Sequence, residues 1–253
     1  MRVRRKGDAS ALSDLRMSGC LKVLFPRCQS RLDAIVINSA GGLTSGDRLS
    51  LDVSLEAQAA ASVTTQAAER AYKAVDGPAE MHTHLRVATG AQMLWLPQEL
   101  ILFDGAKLDR RLHCDLEEGA QILLVEPVIF GRARMGEALR DLRFRDRITV
   151  NRAGEPLYRD HTQLNGDMEH VLPGTAIARG AGAMASVLYA HPQAAARHAD
   201  LIGMLPATAG ASLLQEDLLV LRVLAADGFD LRKTLLPILD LLTGNTLPAS
   251  WRL

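Results

Sequence analysis

No stretch of the sequence holds the roughly 18 uncharged apolar residues that a membrane helix needs, and residues 1–19 lack the apolar run of a secretory leader. A cytoplasmic chain with no membrane partner is expected. Net charge is absent too, with 29 Lys and Arg against 29 Asp and Glu. That balance removes the long-range attraction behind nucleic-acid binding, so no such partner is expected. The basic cluster Arg2, Arg4, Arg5 and Lys6 is short and reads as a solvated terminus. Cysteine is scarce: Cys20, Cys28 and Cys114 are odd in number and lack metal-ligand spacing. They argue against a disulfide framework and for reduced packing residues. Aromatics supply 4% of the chain, which leaves Leu, Val, Ile and Ala to fill a core. Signatures of catalysis are missing as well. There is no Gly-x-Ser-x-Gly elbow, no His-Glu-x-x-His array and no cysteine-protease signature.

Strand periodicity is what the sequence does have. In residues 48–56, Leu49, Leu51, Val53 and Leu55 alternate with polar neighbours, and a period of two puts them on one face. Residues 81–87 repeat this with Met81, Thr83, Leu85 and Val87. Residues 108–116 repeat it with Leu108, Leu112, Cys114 and Leu116, except that Arg110 falls on the apolar side. Shorter strands are predicted at 33–38, 91–96, 121–125 and 148–150, separated by glycine turns at Gly77, Gly90, Gly105 and Gly119. A hairpin is predicted at 151–155, leading to a strand at 157–160. Further strands are predicted at 183–189 and 218–224, and an Ala-rich helix at 192–205. A last helix, at 231–242, has Asp230 as N-cap, Gly244 beyond its end and Pro237 inside, so that it kinks or starts late. Hydrophobic residues make up 48% of the chain, enough for a large core. The expected fold is mainly β: one multi-stranded domain over 1–253, with stacked sheets in sandwich- or solenoid-like form. A few helices occupy its C-terminal third, and residues 1–18 are expected to be poorly ordered.

Three segments invite chemistry. Residues 39–47, with Gly41, Gly42 and Gly46, follow a strand as a phosphate loop would. A strand rather than a helix comes next, however, and no lysine follows Gly46, so a tight strand-to-strand connection is the better reading. His82 and His84 share one face of a strand and offer imidazoles to nickel or zinc, although a solvated sheet face has the same pattern. Residues 126–137 read as a special loop, in which Arg132 and Glu137 pair internally or meet a partner or ion.

The run Gly131-Arg132-x-x-x-Gly136-Glu137 resembles a signature of the urease accessory proteins of the UreD family, also called UreH. Ala40-Gly41-Gly42-Leu43-Thr44-Ser45-Gly46-Asp47 is similar to its glycine loop, with Ser45 where a glycine pair usually begins. Residues 64–72, 95–106 and 247–253 resemble further blocks in the same order, so the likeness covers nearly the whole chain. It implies a mainly β, non-catalytic scaffold that binds apo-urease subunits, UreF and the GTPase UreG, and helps nickel reach the urease centre. No tightly bound cofactor is implied, only nickel in transit, and the family has been proposed to hold an internal channel. A relay must release its ion, so isolated carboxylates suit it better than a full His/Cys cage. By motif position Asp47, Glu126 and Asp160 are expected to line one water-filled path, with Glu137 a weaker fourth because Arg132 can neutralise it. Gly41, Gly42, Gly46, Gly131, Arg132 and Gly136 carry the structural motifs. The competing reading is a carboxylate-dependent hydrolase on a β scaffold.

Overall fold

The computed structural model describes residues 1–28, 30–132 and 135–252. Ala133 and Arg134 of the Gly131–Glu137 block and Leu253 of the terminal block lie outside them. In chain order the first strands are β1 (Arg2–Lys6), β2 (Ala9–Asp14), β3 (Leu21–Leu24), β4 (Leu32–Asn38), β5 (Arg48–Leu55), β6 (Ala60–Thr65), β7 (Glu69–Ala71) and β8 (Ala79–Val87). β9 (Gln92–Leu96), β10 (Leu100–Leu102), β11 (Lys107–Leu116), β12 (Gln121–Phe130), β13 (Leu142–Arg152) and β14 (Glu155–Gly166) follow. The short helix α1 (Met168–Val171), β15 (Ala183–Ala190), α2 (Ala194–Ile202), β16 (Ala209–Gln215), β17 (Leu218–Ala225) and α3 (Gly228–Thr243) follow, and a 3-10 turn at Ala249–Arg252 ends the order.

These strands form two facing sheets. The first runs β14-β13-β11-β8-β5-β1-β2, and the second β16-β17-β15-β12-β9-β6-β4-β3. Strands β5, β8, β11 and β13 are mutually parallel, and so are β4, β6, β9 and β12. Parallel neighbours cannot be joined by a tight hairpin. Here the chain returns through the opposite sheet, so that β4, β6, β9 and β12 alternate in sequence with β5, β8, β11 and β13. The result is a short solenoid. Antiparallel strands extend it at both ends, among them β14, joined to β13 by the predicted hairpin through Ala153 and Gly154 at φ 50° and 84°.

Period-two side chains fill the space between the sheets. Val53, Leu85, Cys114 and Val150 stand side by side across the first sheet, facing Val63, Trp95, Leu124 and Leu188 of the second. The other face of the second sheet is covered by α2, α3 and the chain end, around Leu231, Leu235, Ile238, Leu239 and Trp251. Helix α3 starts three residues earlier than expected, because Asp227 is its N-cap and its Oδ1 accepts the N–H of Asp230. Gly244 closes it at φ 62°, in the left-handed region where glycine carries no penalty. Pro237 stays inside the helix with its ring on the exposed side.

Residues 1–18, expected to be poorly ordered, hold β1 and β2, with Val3 fully buried and β1 paired to β5. Their basic residues obscure the inward apolar positions, Val3 and the partly buried Met1. Strand β12 continues through Glu126 to Phe130, so the expected special loop begins five residues later, at Gly131. Burial of Val128 and Phe130 outweighs the poor strand propensity of Pro127.

The C-terminal block closes the molecule. Trp251 is fully buried and donates from Nε1 to the Leu96 carbonyl at 2.9 Å, and the Arg232 guanidinium lies 5.1 Å from its ring centroid. Trp251→Ala is expected to destabilise the fold by about 3–5 kcal/mol. A urea-unfolding midpoint equal to wild type would show that the chain end is not part of the core.

Candidate functional site

A period-two strand that faces a core should present apolar side chains at every second position. In five neighbouring strands one such position is polar. Arg110 stands between Leu108 and Leu112, Asp146 between Phe144 and Ile148, and Glu126 between Leu124 and Val128. Ser186 and Arg222 occupy the matching places on β15 and β17, in one register row with Glu126. These residues form a polar seam between the sheets, with one apolar cluster on each side.

Arg110, only 6% exposed, holds the seam together. Its Nε and Nη2 donate to both oxygens of Asp146 at 2.9 and 2.7 Å, and its Nη1 lies 2.5 Å from Glu126 Oε2. Glu126 Oε1 accepts the indole N–H of Trp95 at 2.7 Å. Farther along, Arg222 Nη2 contacts Asp160 Oδ2 at 2.6 Å, and the Ser186 hydroxyl donates to the same oxygen at 3.4 Å. Among the described residues of the seam three carboxyls thus face two guanidiniums, and Arg110 serves two of them, which leaves an excess of one negative charge. The electrostatics follow from that imbalance. Burial opposes the charge on Arg110, but Asp146 and Glu126 more than offset it and its pKa is raised. Glu126 is pushed up by burial, pulled down by Arg110 and pushed up again by Asp146, with a net rise.

A cavity of about 270 Å³ leads to this place. Its lining runs from exposed Gly41 and Gln66, past half-buried Asn38 and Glu69, to buried Arg110 and Glu126. Asn38 Nδ2 donates to both Glu69 oxygens, at 3.1 and 3.2 Å. Burial raises the Glu69 pKa against the opposing pull of Asn38 and Arg70.

The four expected carboxylates divide. Glu126 and Asp160 belong to one seam: Ser186, the register partner of Glu126, donates its hydroxyl to Asp160. Asp47 caps its own turn: its Oδ2 accepts the Thr44 N–H at 2.8 Å, and it is not among the residues that line the cavity. Glu137 pairs with Arg132, which approaches it at 2.9 Å and lies 4.1 Å from the centroid of the Phe103 ring. Hydrogen bonding from Arg132, opposed by burial, keeps the Glu137 carboxyl below its ordinary pKa. Both of these carboxylates hold loops in place.

The glycine motifs do the same. Gly42 sits at φ 154° where a Cβ would strike the Tyr72 ring and come within 2.8 Å of the Arg70 carbonyl. Ser45 needs no positive φ, and its hydroxyl accepts the Val75 N–H at 2.6 Å, so the missing glycine leaves the loop intact. His82 does not pair with His84; its Nε2 lies 4.0 Å from Glu80. Asp146, Ser186, Arg222, Asn38 and Glu69 were not anticipated from the sequence. For Asp146 a signal existed, since it interrupts the alternation Phe144-x-Asp146-x-Ile148-x-Val150.

The family model described as UreD urease accessory protein matches residues 1–252. A urease accessory protein UreD from Ruegeria pomeroyi is 53% identical over 247 residues, which cover 97% of this chain and 96% of that one. A protein of the same name from Roseobacter denitrificans is 47% identical over 251 residues, 99% of this chain and 92% of the relative. Urease accessory protein UreD 1 of Brucella melitensis biotype 1 is 41% identical over 254 residues, 98% and 91% of the two chains.

Because Glu126 keeps its proton to higher pH when folded, the native state binds more protons than the unfolded chain above the ordinary carboxyl value of 4.5. Stability then falls as pH rises through that window. Glu126→Gln removes this dependence, so its stability relative to wild type is expected to grow as pH rises toward neutrality. Urea midpoints measured in EDTA across this range provide the check, and parallel curves for the two proteins would contradict it.

Proposed function

The chain belongs to the UreD family of urease accessory proteins, and from that premise we propose that it is a non-catalytic scaffold of urease maturation that passes nickel along its inter-sheet seam. The single observation that carries this reading is the uncompensated negative charge at Arg110, Glu126 and Asp146, reached by a cavity from the surface. An excess carboxylate in a low-dielectric interior either keeps a proton or attracts a cation. Both options suit a relay: a divalent ion displaces the Glu126 proton, and Arg110 stops the site from becoming a trap. Asp160, beside Arg222 at the half-buried end of the seam, offers the next carboxylate. Asp47 and Glu137 act by holding their own loops. Nickel here is cargo, held in passing.

In the same reading the chain works in the cytoplasm with UreF, the GTPase UreG and the urease apoprotein. The nucleotide chemistry resides in UreG, which agrees with a glycine loop that bridges two strands and caps itself with Asp47. A carboxylate-dependent hydrolase fits less well. Its acid and base would have to reach a substrate, whereas Glu126 and Asp160 are both engaged by guanidinium groups.

No helix among the described residues is long and apolar enough to cross a membrane. The test is urease maturation in cells that express the urease operon with either wild-type chain or the Glu126→Gln, Asp160→Asn double variant. Nickel content and urease activity are expected to fall by about tenfold or more. Co-purification of UreF, UreG and urease subunits should be unchanged. Full nickel loading by a stably folded double variant would sink the seam as a route.

A further inference from the structure

The outward face of the first sheet carries a second cluster that the seam does not use. Strands β8 and β11 are parallel, and their register sets His84 directly beside His113. Asp115 lies two residues farther along β11 and so projects from the same face. His84 Nε2 is 2.9 Å from Asp115 Oδ2, and His113 Nε2 is 2.9 Å from Asp115 Oδ1. The two rings meet edge to face with centroids 4.9 Å apart. The three donor atoms lie within 4.8 Å of one another, on side chains between 31% and 43% exposed. Asn151, the register partner of Asp115 on β13, donates to Asp115 Oδ1 at 3.0 Å and orients the carboxylate. The cluster therefore stands on three adjacent strands in the middle of a sheet and is open to solvent.

We propose that His84 Nε2, His113 Nε2 and a carboxylate oxygen of Asp115 form a surface site for a divalent first-row transition-metal ion, Ni²⁺ or Zn²⁺. Two imidazoles with one carboxylate are a donor set for ions of this kind, whereas Ca²⁺ and Mg²⁺ require oxygen shells. Donors about 2.0–2.2 Å from a tetrahedral ion stand roughly 3.3 Å apart. Small side-chain rotations open the two 2.9 Å contacts to that spacing, and water completes the shell.

The surroundings say how the site would be tuned. Arg86 Nη2 donates to His84 Nδ1 at 2.7 Å, so the metal-free imidazole carries its proton on Nε2, toward Asp115. Coordination through Nε2 shifts that proton to Nδ1, and Arg86 must give way. Asp52 Oδ1, 3.9 Å from His84 Nδ1 and 3.6 Å from Arg86 Nη1, is placed to accept the new N–H. Arg86 thus competes with the ion both as a donor and as a positive charge. The site is independent of the urease reading, since its ligands face away from the seam.

Isothermal titration of the full chain with Ni²⁺, and separately with Zn²⁺, tests the proposal. The expected result is one equivalent of ion that disappears in the His84→Gln, His113→Gln double variant and binds about tenfold more weakly or worse in Asp115→Asn. Arg86→Gln should bind more tightly than wild type, an effect that loss of folding cannot mimic. His170→Gln, at an exposed histidine elsewhere, should leave binding as it is. Co²⁺ should give the intense visible absorption of a tetrahedral site in wild type and lose it in the double variant. Equal stoichiometry in wild type and double variant for both ions, or no binding by wild type, would overturn the site. The ion with the steeper isotherm identifies the preferred metal.

Discussion

One guanidinium enclosed between two carboxylates constrains the rest of this molecule. Arg110 lies where the alternation of β11 calls for an apolar side chain, and a charge there is tolerable only if its partners are in place. Asp146 comes from the neighbouring strand, but Glu126 comes from the opposite sheet. The trio therefore ties the two sheets together in one register. A slip of one residue would turn Arg110 to solvent and strand both acids in the core. The seam separates two apolar clusters, built around Leu85 and Leu124 on one side and Phe144 and Val128 on the other.

The solenoid gives that seam its length. Each pass of the chain adds one strand to each sheet, so that equivalent positions stack in rows across parallel strands. The row through Glu126, Ser186 and Arg222 faces the one through Arg110 and Asp146, and Asp160 closes the far end. The crossovers stack as well. Gly42 abuts Tyr72, Tyr72 meets the Phe103 ring edge to face at 4.9 Å, and Phe103 lies beneath Arg132, which holds Glu137. The sequence blocks that resemble the UreD family are therefore contacts between successive turns. The residues of those loops that invited ion or nucleotide chemistry make contacts within their own loops, Asp47 with the Thr44 N–H and Glu137 with Arg132.

Much of the fold was legible because its signal is local. The strands at 48–56, 81–87 and 108–116 are regular enough to be read from alternation, and Gly90, Gly105 and Gly119 mark turns by adopting positive φ. The missed elements lack that regularity: β1 and β2 carry little apolar alternation, β3 has four residues, β6 is buried at successive positions, β7 and β10 are three residues each, and β16 is an exposed edge. The site was legible only where a residue contradicted its neighbours. Arg110 was visible as the charge on an apolar face, and Asp146 could have been. Ser186 and Arg222 carried no mark, because a serine or an arginine in a strand is unremarkable until its row is known.

By itself, the sequence determined the β character of the chain, the facing of each regular strand and the family to which its blocks are similar, since each depends on neighbours within a few residues. Tertiary structure alone decided which carboxylates meet. Glu126 and Asp160 came to share one interior line, Asp47 and Glu137 were turned back to their own loops, and His84 acquired His113 and Asp115 in place of His82. Those outcomes depend on which strands lie side by side and in what register, and residues 29 positions apart, such as His84 and His113, become neighbours only when the two intervening strands, β9 and β10, have been sent to the other sheet.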